Sequence, residues 1–172
     1  MNTVYRFRIY PNKAQRELFA KTFGCVRFVY NRMLAEKKAH YEKTGKNLSV
    51  TPARYKSEFP WLKEVDSLAL CNAQLHLQTA YKNFFRDASV GFPKFKSKKK
   101  PVRSYTTNYV NGNIVLQKGK LKLPKAGWVR IRHHRKIEEG YQLKGATITQ
   151  EADERYYVAL LYSCAEPVNE IE

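Results

Sequence analysis

Residues Val4–Tyr10 read as one half-buried strand, and no second strand pattern begins until Ser104. Tyr5, Phe7 and Ile9 fall on one face of it and Arg6 and Arg8 on the other. Pro11 stops it. A lone strand leaves a row of N–H and C=O groups without partners. The opening strand must therefore pair with segments far along the chain, and the helical stretch between becomes an insertion. This predicts an α+β fold: a small antiparallel β-barrel from residues 1–10 plus 102–172, with an α-helical domain at 11–101 set into it.

The helical stretch has its own punctuation. Asn12 with Gln15 three residues later has the spacing of a capping box. Ala14, Leu18 and Phe19 follow at helical spacing within Lys13–Phe23, and Gly24 is read as the break before a second helix, Cys25–Tyr41. Thr51-Pro52 opens a short helix. Asp66 caps a long one, Ser67–Asp87, with Leu70, Ala73, Leu77, Tyr81, Phe84 and Phe85 on the predicted core stripe. After the linker Ser89–Arg103, which holds Pro93 and Pro101, the period changes to two. Ser104–Val110 and Asn113–Gln117 flank Asn111-Gly112, a strong hairpin signal. Leu121–Pro124, Trp128–Arg132, Ala146–Gln150 and Tyr156–Tyr162 read as further short strands, the last two joined by an acidic turn at Glu151–Glu154.

Charge limits the function. The chain carries 32 Lys and Arg against 15 Asp and Glu, a formal net charge of +17. Between Asp87 and Glu138 stand fourteen Lys and Arg and no acid. A folded surface of that sign needs a polyanion, and nucleic acid is the one that fits. The candidate phosphate contacts are Arg6, Arg8, Lys94, Lys96, Lys98, Lys99, Arg103, Lys120, Lys122, Lys125, Arg130 and Arg132. Lys120 and Lys122 alternate with Leu121 and Leu123, as Arg130 and Arg132 do with Val129 and Ile131, so one face of these strands is cationic and the other apolar. Tyr105, Tyr109 and Trp128 sit among these charges as candidate base-stacking rings, with core packing as the competing role. Asn72, Gln74 and Gln78 offer amides that could read adenine, or simply face solvent.

Other classes find little support. His40, His76, His133 and His134 have no metal-ligand spacing, and no carboxylates converge to hold Mg²⁺ against phosphate. Ser104 and Ser163 have no visible base partner. The reading is a binding protein with no catalytic residues, no metal and no cofactor. Cys25, Cys71 and Cys164 are isolated, read as small buried hydrophobes, and suit a reducing, cytoplasmic setting. No segment has the length of a membrane span and no signal peptide precedes Val4, so no membrane partner is expected.

Four blocks carry a family resemblance: YRFRIYPNKAQRELFAKTFGCVRFVYNRML, WLKEVDSLALCNAQLHLQTAYKNFFR, GFPKFKSKKK and NGNIVLQKGKLKLPKAGWVRIR. In this order the chain resembles the N-terminal part of the TnpB (OrfB) proteins of insertion sequences. These are compact RNA-guided DNA endonucleases, which type V CRISPR effectors resemble. The resemblance implies an oligonucleotide-binding-like wedge domain with a helical recognition domain inserted. It implies two partners, a guide (noncoding) RNA and a target DNA duplex with a short flanking motif. The motif-reading positions it implies are Ser49, Ser67, Leu68, Cys71, Asn72, Val110 and Asn111. Several of these are apolar or small where family members can carry longer polar side chains. Family members continue into a RuvC nuclease domain, whose acids and zinc-binding cysteines have no counterpart here. Glu170 and Glu172 are not those acids, so no cleavage is expected of this chain.

Two other binding readings remain open at this stage. One is a stand-alone helix-turn-helix DNA binder, or transposase accessory protein, using Lys13–Phe23 and Cys25–Tyr41. The other is an adaptor whose basic face meets an acidic protein.

Overall fold

The computed structural model describes residues 1–99 and 103–164. The expectations for Pro101, for the start of the β segment at 102, and for Glu170 and Glu172 lie outside the described residues. The chain clusters into two compact units, Met1–Arg16 with Thr106–Glu172, and Glu17–Tyr105.

The first unit is built on a seven-stranded antiparallel sheet. Its strands are β1 (Asn2–Tyr10), β2 (Ser104–Asn108), β3 (Val115–Gln117), β4 (Lys120–Leu123), β5 (Gly127–Ile131), β6 (Tyr141–Gln150) and β7 (Tyr156–Cys164). Their order is β2-β6-β7-β1-β5-β4-β3. The opening strand thus lies mid-sheet. It pairs with β7 along nearly its whole length and with β5 at its end, where Ile9 faces Ile131 and Tyr10 faces Arg130. The backbone groups that a lone strand would leave unmet are taken up by β7 along nearly the whole strand, and by β5 and Arg132 at its end.

Alternation sorts the side chains. Tyr5, Phe7 and Ile9 align with Leu160, Val158 and Tyr156 across the β1–β7 ladder, and all six are buried. Leu121, Leu123, Val129 and Ile131 continue the apolar face on β4 and β5. At about 25 cal/mol per Å² of apolar surface removed from water, that face is the main stabilising term of the unit. On β6 the register shifts between Leu143 and Gly145. A Cβ at Gly145 would stand 2.7 Å from the Thr107 carbonyl oxygen, so only glycine allows the backbone of β2 to approach so closely.

The sheet differs from expectation in two ways. It is not closed: β2 and β3 are its two ends, so the pairings make an open sheet and not a small barrel. The Asn111-Gly112 turn does form, with φ of 50° and 74° and the Asn113 N–H donating to the Val110 carbonyl at 3.2 Å. The predicted hairpin ladder does not follow, because β2 pairs with β6 and β3 with β4. The Asn113 side chain explains this. Its Oδ1 accepts from Val110 N–H at 2.8 Å and its Nδ2 donates to the Asn108 carbonyl at 2.9 Å, taking groups a ladder would need.

The second unit is helical. Helix α1 (Lys13–Thr44) is continuous, α2 (Ala53–Lys56) is one turn, and α3 (Ser67–Arg86) is the other long helix. The capping box closes reciprocally: Asn12 N–H to Gln15 Oε1 at 2.9 Å, Gln15 N–H to Asn12 Oδ1 at 2.8 Å. Asp66 caps α3 through the Leu68 N–H at 3.0 Å. The core holds Phe19, Val29, Met33, Leu34, Tyr55, Leu62, Leu70, Ala73 and Leu77. Phe85 leaves the expected core stripe: it is 77% exposed and clusters with Tyr81 and Phe84 at the end of α3. Of the cysteines, Cys25 is buried, which pushes its thiol up to about 11, whereas Cys71 is exposed.

Gly24 does not break α1, which overturns the two-helix expectation. It lies inside the helix, outside the left-handed region, with nothing within 4 Å of where a Cβ would stand. Its penalty of about 1 kcal/mol is small beside the burial of Phe19, Val29, Met33 and Leu34 around it. Gly24→Ala is therefore expected to stabilise the protein by about 0.5–1 kcal/mol, read as a higher urea midpoint. Were residue 24 a turn of left-handed backbone, the same change would lower the midpoint.

Candidate nucleic-acid interface

Arg6, Arg8, Lys120, Lys122 and Arg130 alternate with the buried residues of β1, β4 and β5 and so lie on the opposite face, whereas the Arg135 guanidinium lies 4.9 Å from the buried Tyr5 ring. The pairing register sets their neighbours. Lys120 stands directly across from Arg130, Arg130 across from Tyr10, and Lys122 across from Trp128. Lys120, Lys122 and Arg130 are exposed. Like charges directly opposite on a ladder destabilise it, and no carboxylate among the described residues pairs with either Lys120 or Arg130. The guanidiniums of Arg8 and Arg130 lie 4.9 and 5.6 Å from the centre of the Tyr10 ring. Such stacking holds them in place while leaving their N–H groups free to donate. Trp128 and Tyr10, 44% and 37% exposed, add ring surface between the charges. A strip of fixed cations with interleaved rings suits a phosphate backbone with unpaired bases.

Arg6, Arg8 and Arg132 adjoin this strip. The Arg132 N–H donates to the Arg8 carbonyl at 2.9 Å, which carries the chain past β5 alongside β1. Arg6 lies 4.2 Å from the Tyr157 ring and 2.6 Å from the Glu151 carboxylate. Lys125 is exposed in the turn before β5, with φ of 66°.

In the helical unit Lys94, Lys98, Lys99 and Arg103 are exposed. Lys96 is not free in the same sense. Asn31 clamps its backbone, accepting from its N–H at 2.8 Å and donating to its carbonyl at 3.0 Å. Its ammonium sits 4.7 Å from the Tyr30 ring, and burial pulls its pKa down.

Tyr105, expected as a stacking ring, is 4% exposed and packs 6.1 Å from Phe19 and 5.8 Å from Phe23. Burial, with a smaller push from Asp66, drives its hydroxyl pKa upward. It is a core residue. Tyr109, 44% exposed, does present its ring. Tyr10 and Tyr157 were missed by the sequence reading. Tyr10 could have been found, since it continues the Arg6–Arg8 alternation; Tyr157 could not, because only the β1–β7 register brings it beside Arg8.

The positions implied as motif readers differ in access. Ser49, Ser67 and Cys71 are exposed, and Leu68 is half-buried. Asn72 is 6% exposed and its Nδ2 donates back to the Leu68 carbonyl at 2.9 Å, so it serves α3. Gln74 is tied to the Val50 carbonyl at 2.9 Å, whereas Gln78 is exposed. Val110 and Asn111 are exposed at the tip of their turn. Among the described residues no three His, Cys, Asp or Glu form a metal-holding group, and no helix is long and apolar enough to cross a membrane.

Comparison with known proteins places these features in context. Residues 1–46 match the family model HTH_OrfB_IS605, described as a helix-turn-helix domain. Here those residues are β1 and the uninterrupted helix α1 up to Thr44. The chain is 33% identical to a "Putative RNA-guided DNA endonuclease" of Streptomyces pristinaespiralis, over 91% of this chain and 40% of that protein. It is 28% identical to the "Putative RNA-guided DNA endonuclease InsQ" of Escherichia coli (strain K12), over 91% of this chain and 39% of that one. It is also 36% identical to the "Virulence protein VsdF" of Salmonella dublin, over 52% of this chain and 88% of that protein. The chain thus spans about 40% of the length of the two endonuclease relatives.

Proposed function

We propose a function from one premise: this chain belongs to the TnpB/OrfB family and matches the N-terminal part of its members. It is the nucleic-acid-binding portion of an RNA-guided DNA endonuclease of an insertion sequence. The sheet unit acts as the wedge domain and holds the structured guide RNA on Arg6, Arg8, Lys120, Lys122, Lys125, Arg130 and Arg132. The helical unit acts as the recognition domain, with Lys94, Lys98, Lys99 and Arg103 contacting phosphates. Ser49, Ser67, Leu68, Cys71, Val110 and Asn111 contribute to reading a short DNA motif beside the target. The chain binds without cutting, and a RuvC nuclease part outside it supplies cleavage in the whole protein.

The observation that carries this reading is the Lys120–Arg130–Tyr10 row, where β-strand pairing sets like charges opposite one another. Such a row is a cost to the fold alone and a gain once a polyanion lies on it. The helix-turn-helix rival keeps the support of the family match over residues 1–46, but the turn it needs at Gly24 is absent from the continuous α1.

The test is to purify the protein without nuclease treatment and sequence the RNA it carries. One enriched noncoding transcript is expected. A random population of cellular fragments would contradict guide binding.

A further inference from the structure

One recess in the sheet unit gathers more guanidinium groups than its carboxylates neutralise. Arg6, Arg8, Arg132, His134, Arg155 and Tyr157 line a cavity of about 460 Å³. The register builds it: Arg8 is the Cα partner of Tyr157, and Arg6 faces Ala159 two residues on. Two carboxylates reach the lining, Glu151 to Arg6 at 2.6 Å and Asp153 to Arg155 at 3.5 Å. Among the described residues Arg8 and Arg132 have no ion pair, and the Arg8 Nε is buried without a hydrogen-bond partner. Guanidiniums that line the cavity without a carboxylate partner are charge-assisted donors for an anion placed there.

The Arg6–Glu151 pair has the properties of a temporary arrangement. Its side chains are 57% and 47% exposed, so solvent screens it and little stability is lost when it opens. Arg6 has a second contact, the Tyr157 ring 4.2 Å away, which does not involve the carboxylate. The turn does not need the carboxylate either. Glu151 N–H donates to the Arg155 carbonyl at 2.9 Å and the Glu151 carbonyl accepts from Glu154 N–H at 2.9 Å, both through backbone.

We propose that this recess is the seat of one phosphate group of a bound RNA strand, and that the Glu151 carboxylate holds Arg6 until that phosphate displaces it. The seat rests on the reading that the sheet unit binds RNA. Glu151 then sets a threshold: a phosphate held firmly by the rest of the RNA exchanges with it, and a weakly held one does not.

The experiment measures affinity of the full chain for a fluorescent RNA hairpin, with inorganic phosphate as competitor in a parallel series. Glu151→Gln is expected to bind the hairpin about 3- to 10-fold tighter than wild type at about 50 mM salt. Glu154→Gln removes an equal charge from the same turn, at a side chain with no ion pair among the described residues, and is expected to change affinity less than about twofold. Adding Arg8→Gln to Glu151→Gln is expected to abolish the gain. Inorganic phosphate at equal ionic strength should compete better against wild type bound to the hairpin than chloride does. If Glu151→Gln binds no tighter than Glu154→Gln while wild type binds RNA, the seat is wrong and the wider reading stands. If wild type shows no salt-dependent RNA binding, both fall together.

Discussion

Arg130→Glu is expected to separate binding from folding, by weakening the first while strengthening the second. In the free protein Arg130 stands opposite Lys120 on one ladder and opposite Tyr10 on the other. Replacing it with glutamate turns a like-charge cross-strand pair into an opposite-charge one, which favours the fold by up to about 1 kcal/mol. The same change removes a phosphate contact and puts an anion in the strip. Affinity for RNA is expected to fall on the order of 30-fold at low salt, and the slope of log K against log salt to shrink by about 1. A urea midpoint at or above wild type together with the lost affinity is the expected pair of results. A lower midpoint would place the effect in the fold and remove Arg130 from the interface.

Phe7→Ala is expected to do the reverse and lose binding only because the sheet is lost. Phe7 is fully buried on the central strand, opposite Val158, with the rings of Tyr5, His133 and His134 around it at 6.5, 5.4 and 5.3 Å. Truncating such a ring costs about 3–5 kcal/mol through lost burial and the cavity left behind. Domains of this size are stable by about 5–15 kcal/mol, so the loss is a large part of the whole. The urea midpoint should drop sharply, and RNA affinity should fall in proportion to the unfolded fraction. An unchanged midpoint would mean that β1 is not the strand on which the sheet is built.

The sequence carried the parts of this architecture that rest on local chemistry or on an unavoidable pairing demand. The alternation of Tyr5, Phe7 and Ile9 against Arg6 and Arg8 identified both faces of β1, and the absence of any nearby strand required distant partners. The Asn12–Gln15 box and the Asp66 cap were legible because each closes within three residues. What failed were features decided by competition between local signal and tertiary context. Gly24 looked like a break, but burial on both sides of it outweighs its helical penalty. Asn111-Gly112 made its turn, yet the side chain of Asn113 captured the groups that would have continued a ladder. Tyr105 sits among basic residues in sequence, but strand alternation turns it to the buried side, together with Thr107.

The candidate interface was half legible for a similar reason. Residue type and alternation pointed to Lys120, Lys122, Arg130 and the β1 arginines. Nothing local pointed to Arg155, Tyr157 or Glu151 as their neighbours. Glu151 meets Arg6 across 145 residues of chain, a contact fixed by the β1–β7 and β6–β7 registers. The acidic turn was readable as a turn; its use as a counter-charge was not.

The central claim is that RNA lies on the Lys120–Arg130–Tyr10 face, and lysine acetylation with and without saturating RNA tests it most directly. Lys120 and Lys122 are exposed, so both should react readily in the free protein. With RNA bound, both are expected to be protected. Reaction of Lys120 and Lys122 at the free-protein rate while the RNA stays bound would contradict the account.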